Sequence, residues 1–83
     1  MILIFIVNGE DVQVSTDSEA SLEWVRDKAL RLSHNTGRLP GDWEVRDLDG
    51  QLIEDLSRTI GELGLTSGAR MFLTLKVGAG GVG

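Results

Sequence analysis

An 83-residue chain with 41% hydrophobic residues, 25% charged residues and a net charge of −5 has room for one small domain. It contains no cysteine, which excludes a disulfide framework, a thiolate metal site and a cysteine nucleophile. The acidic balance argues against nucleic acid or an anionic membrane as a partner, because phosphate binding asks for a basic face.

The apolar run Ile2–Val7 lacks a basic leader and is too short to span a bilayer, so it reads as a buried strand. Asn8-Gly9 follows. Both residues tolerate positive φ, which makes the pair a hairpin turn into Asp11–Thr16, where Val12 and Val14 share one face. A helix is predicted over Leu22–Leu32. Ser18 or Ser21 can cap it, and Glu19 and Glu23 suit the positive end of its dipole. Leu22, Val25, Ala29 and Leu32 recur at helical spacing as its apolar face, flanked by Trp24 and Leu30. The segment His34-Asn35-Thr36-Gly37 stops the helix, with Asn35 or Gly37 suited to a left-handed cap, and Leu39-Pro40-Gly41 turns the chain.

Trp43–Leu48 is predicted as a strand with Trp43 and Val45 inward, Asp49-Gly50 as a tight turn and Gln51–Ile53 as a stub strand. Ser57–Leu65 is expected to form a brief helical turn anchored by Ile60, Leu63 and Leu65. In Arg70–Val77, Met71, Leu73, Leu75 and Val77 alternate with Arg70, Phe72, Thr74 and Lys76, the pattern of a half-buried strand. Gly78-Ala79-Gly80-Gly81-Val82-Gly83 has little side chain to bury and is expected to move freely. The chain thus divides into a domain of residues 1–77 and a glycine-rich tail of residues 78–83.

One helix cannot cover both faces of a sheet, so the fold class is α+β, a mixed four- to five-stranded sheet packed on one helix. The most apolar segments, the first and the last strands, belong side by side at its centre, parallel and joined by a right-handed crossover.

From Met1 to Gly81 the sequence resembles ubiquitin and its relatives, which share the β-grasp fold. The resemblance is carried by Gly9, the helix Leu22–Leu32, Leu39-Pro40-Gly41-Asp42 and Asp49-Gly50-Gln51-Leu52. It continues through Ser57-Arg58-Thr59-Ile60-Gly61-Glu62-Leu63-Gly64-Leu65 and ends on the strand Met71–Val77 and its diglycine. The better match is to bacterial ubiquitin-like modifiers encoded beside their own activating, conjugating and peptidase enzymes, often in antiphage operons. The exposed aliphatic patch of ubiquitin is replaced by Arg46, Phe72 and Thr74, and the arginine before the diglycine by Gly78-Ala79.

The resemblance implies a cytoplasmic protein modifier that is not itself an enzyme, holds no cofactor and leaves ATP to the activating enzyme. Its partners would be activating and conjugating enzymes, a processing or deconjugating peptidase and target proteins. Conjugation and processing would run through Gly80 and Gly81, with cleavage before Val82, and Phe72, Thr74, Arg46 and Lys76 would form the docking face. Phe72 alternates with Met71 and Leu73, so it points away from the helix. Two rivals share the fold: a sulfur carrier ending as a thiocarboxylate, and a non-conjugated binding module such as the ubiquitin-like subunits of bacterial secretion systems.

Other residues offer less chemistry. His34 has no second histidine or cysteine near it and fits the negative end of the helix dipole better than a metal site. Asp42, Glu44, Asp47, Asp49, Glu54 and Asp55 lack calcium-loop spacing and fall around turns, where charge stays solvated.

Overall fold

The computed structural model describes residues 1–76. Strand β1 (Ile2–Val7) pairs antiparallel with β2 (Glu10–Ser15) across a two-residue turn in which Asn8 has φ 51° and Gly9 φ 82°. Positive φ at both turn residues matches the right-handed twist of the strands, which is why Asn-Gly suits this position. Helix α1 (Leu22–Leu32) follows, then a 3₁₀ turn (Pro40–Asp42), β3 (Trp43–Arg46) and β4 (Arg70–Leu75).

The strand order is β2-β1-β4-β3. β1 and β4 lie parallel at the centre, with Ile4 opposite Arg70 and Val7 opposite Leu73, and β3 closes the far edge antiparallel. This is the ubiquitin-like β-grasp that the order of elements predicts.

The helix covers one face of the sheet. Leu3, Phe5, Val7, Val14, Val45, Met71 and Leu73 point towards it and are buried against Leu22, Val25, Ala29 and Leu30, with Trp43 and Ile60 completing the core. Ser21 is the cap, its Oγ accepting the Trp24 N–H at 3.1 Å. Ile60 is anchored by two reciprocal bonds beside it. The Thr59 N–H donates to Glu62 Oε1 at 2.9 Å, and the Glu62 N–H to Thr59 Oγ1 at 3.1 Å. Gly61 allows this turn to sit against the Ser18 carbonyl, which a Cβ there would meet at 3.2 Å.

Five expectations are corrected. The buried helix stripe is Leu22, Val25, Arg26, Ala29 and Leu30, while Leu32 is 51% exposed. The left-handed cap is His34 at φ 62°, rather than Asn35 or Gly37. Gln51–Ile53 contributes one bridge, Leu52 to Arg46, because Asp47 Oδ1 binds the Asp49 and Gln51 N–H groups and holds a turn there. The strand expected over Trp43–Leu48 stops at Arg46. The brief helical turn expected in Ser57–Leu65 is present, with the Leu63 N–H donating to the Thr59 carbonyl at 3.1 Å and the Gly64 and Leu65 N–H groups closing it on the Gly61 and Ile60 carbonyls at 3.1 and 3.2 Å. The last strand stops at Leu75, which lies exposed at the rim opposite Trp43. Val77 and the whole tail of residues 78–83 lie outside the described residues.

Candidate functional site

Because α1 covers a single face, the outward residues of all four strands form an open surface. Cross-strand register builds it. Phe72 stands between Ile6 on β1 and Arg46 on β3, and Thr74 stands opposite Glu44. Ile4, Ile6 and Phe72 are partly exposed, forming an apolar strip along the two central strands.

An ion pair frames each side of that strip. On β3, Arg46 Nη2 lies 2.6 Å from Glu44 Oε2, and its Nη1 donates to the Gly50 carbonyl at 2.8 Å. Towards β2, Arg70 pairs with Asp11. Exposed pairs of this kind add about 0–1 kcal/mol to stability. Their effect on the site is geometric: Arg46 is pinned across the Asp49-Gly50 turn, with its stem beside Phe72. The surface offers an aromatic centre and fixed charges at its margins, the composition of a protein docking face.

Three of the four expected docking residues, Arg46, Phe72 and Thr74, therefore meet on this face. Lys76 does not. It turns to the β3 edge, where it lines a separate groove with Trp43, Glu44, Leu52 and Leu56, while its backbone N–H donates to the Asp42 carbonyl at 2.9 Å. Sequence reasoning missed Ile4 and Ile6, having taken β1 as buried throughout. The available signal was that a lone helix leaves every second residue of a central strand uncovered. Gly80, Gly81 and Val82 lie outside the described residues.

Among the described residues, no group of three His, Asp or Glu side chains could hold a metal ion, and no helix is long and apolar enough to cross a membrane. The carboxylates around the turns have local tasks. Glu44 holds Arg46, Asp47 closes its own turn, and Asp55 Oδ1 accepts from the Ser57 N–H and hydroxyl at 3.1 and 2.5 Å. Hydrogen bonds from the Ser57 hydroxyl and N–H, with a smaller effect of the Arg58 charge, hold the Asp55 carboxyl below its ordinary 3.8.

Residues 1–81 match the family described as "Protein of Unknown function (DUF2604)". The chain belongs to this family. A relative of the DUF2604 chain in Sinorhizobium fredii (strain NBRC 101917 / NGR234), called uncharacterized protein y4jI, is 35% identical over 79 residues. The alignment covers 95% of this chain and 60% of that protein, so the chain spans about three fifths of its relative's length. Among solved structures, the ubiquitin-like domain of EccD5 from Mycobacterium xenopi superposes with a TM-score of 0.69 at 16% identity, covering 90% of this chain and 92% of that one. ATBAG1, crystallised in complex with HSP70, superposes with a TM-score of 0.73 at 16% identity over 92% of this chain and 40% of that one. At such identity these likenesses establish the fold alone.

Proposed function

We propose that this DUF2604 domain is a ubiquitin-like protein modifier, of the bacterial kind that works with dedicated activating, conjugating and peptidase enzymes. The observation that carries the reading is the diglycine Gly80-Gly81, a few residues beyond the central strand of a β-grasp domain. The family match also runs through Gly81.

In this reading a peptidase hydrolyses the Gly81–Val82 bond and frees the Gly81 carboxylate. That carboxylate attacks the α-phosphorus of ATP in the activating enzyme, forming an acyl-adenylate and releasing pyrophosphate. A thiol or hydroxyl of a partner enzyme then attacks the Gly81 carbonyl, displacing AMP and giving a thioester or oxyester. A target amine attacks in turn, releasing the enzyme nucleophile and leaving an amide. Glycine suits each step because it threads a narrow channel without side-chain collisions. The domain itself performs no catalysis. Its outer face, with Phe72 between Ile6 and Arg46, is the surface the enzymes grip.

Intact mass spectrometry of the protein from its native host tests the reading. Chains ending at Gly81 and adducts joined through it are expected. Exchange of oxygen for sulfur at that terminus would establish a sulfur carrier instead. An unprocessed and unattached chain would point to a binding module.

A further inference from the structure

The two edges of the sheet are not alike. Along β3 the segment 51–53 covers the outer side: the Ile53 N–H donates to the Val45 carbonyl at 2.9 Å, and Leu52 bridges to Arg46. Among the described residues no segment pairs with the outer side of β2.

Backbone pairing shows what β2 leaves open. The Met1 amine donates to the Thr16 carbonyl and the Thr16 N–H to the Met1 carbonyl, both at 2.9 Å. Antiparallel ladders alternate, so Val14, Val12 and Glu10 also turn their backbone groups to β1, and Asp11, Gln13 and Ser15 turn theirs outward. The three outward N–H groups have no partner among the described residues. Of the three outward carbonyls only that of Ser15 has one, Lys28 Nζ at 3.5 Å, longer than an ordinary hydrogen bond. Free edges are commonly protected by a proline, a lysine or a bulge within the strand. β2 has none of the three.

The order of side chains along this edge makes it complementary to itself. A second β2, antiparallel about a two-fold axis at Gln13, lets all three outward residues pair: Asp11 with Ser15, Gln13 with Gln13, and Ser15 with Asp11. A slip of two residues either way leaves one of the three without a strand partner. In this register no acidic side chain faces another. Glu10 of the second copy arrives opposite Thr16, on the helix side of the sheet and beside Lys28, which reaches the neighbouring Ser15 carbonyl. Neither Glu10 nor Lys28 has an ion-pair partner among the described residues, and two-fold symmetry brings them together twice. Val12 meets Val14 in the same register, next to the exposed Leu32 that shares its groove.

We propose that β2 is a self-pairing edge through which two copies of this domain join into one continuous sheet, held by backbone bonds at Asp11, Gln13 and Ser15 and by reciprocal Glu10–Lys28 pairs. Both helices then lie on one side and both Phe72 faces on the other, open. The proposal stands apart from the diglycine chemistry.

Sedimentation equilibrium from about 10 μM to about 1 mM tests it. Salt of about 0.15 M screens the repulsion between two chains of net charge −5 beyond about 8 Å. A monomer–dimer equilibrium is expected, with amide exchange at Asp11, Gln13 and Ser15 slowing as concentration rises. Glu10→Lys and Lys28→Glu, each placing like charges together twice, should weaken the dimer about tenfold or more, and the double exchange Glu10→Lys/Lys28→Glu should restore it. Spectra of the dilute variants check that each remains folded. A chain monomeric at about 1 mM would overturn the proposal and leave β2 free for a different partner. So would a dimer indifferent to both single changes, folded variants that the double exchange fails to rescue, or exchange protection confined to another part of the surface.

Discussion

Asp55 shows how an exposed carboxylate can be tied to the folded state by local bonds alone. Its Oδ1 accepts two hydrogen bonds from Ser57, and Arg58 Nε lies 3.5 Å from Oδ2. These contacts favour the ionised form, so the folded pKa lies below the ordinary 3.8. Linkage then fixes the sign: the contribution is complete above the unfolded pKa and disappears as pH falls through the lowered folded value. Asp55→Asn keeps the shape and removes the charge. Thermal melts should place it below the parent at about pH 6, with the gap closing below about pH 4. A gap independent of pH would mean that the charge is irrelevant.

At the scale of the element, the ends and faces of α1 separate what periodicity reveals from what it hides. Two apolar stripes share Leu22, Val25 and Ala29, one continuing to Leu32 and the other passing through Arg26 and Leu30. The second is the buried one, and Arg26 disguised it. Its stem packs inward while Nε and Nη2 both reach Asp27 Oδ1 at 2.9 Å, so a charged residue completes an otherwise apolar face. The C-terminus was hidden for a related reason. The Asn35 N–H donates to the Leu30 carbonyl and the His34 N–H to the Arg31 carbonyl, a Schellman closure whose left-handed position usually belongs to glycine. Here it belongs to His34. Removing the left-handed penalty while loosening the unfolded chain should leave His34→Gly more stable by about 0.5–1 kcal/mol. Urea unfolding measures this, and a destabilised variant would show that the imidazole itself supports the helix end. The strands were legible because turn chemistry at Asn8-Gly9 and alternation in Arg70–Leu75 both survive in the sequence. The stub at Gln51–Ile53 was not, since the side-chain bonds of Asp47 decide it.

For the molecule as a whole, the topology follows from one helix, one sheet and two unusually apolar strands that must meet at its centre. Arg46, Phe72 and Thr74 were legible as one face because the resemblance to ubiquitin marks their positions, and alternation in Arg70–Leu75 sends Phe72 and Thr74 outward together. Ile4 and Ile6 escaped because a continuous apolar run is silent about which side a single helix will leave bare. The chain's two phenylalanines separate these roles. Phe5 is fully buried between the layers, whereas Phe72 lies partly exposed on the uncovered side. Phe5→Ala opens a core cavity and should cost about 3–5 kcal/mol, much of the stability of a small domain. Phe72→Ala opens none and should cost less than about 1 kcal/mol, while in the proposed modifier role it should slow transfer to an activating enzyme. Denaturant unfolding of both variants, beside single-turnover charging of the purified activating enzyme, distinguishes the faces. A Phe72→Ala protein that folds and charges at the parental rate would remove the sheet surface as the enzyme's grip, leaving the diglycine chemistry to be judged by mass spectrometry alone.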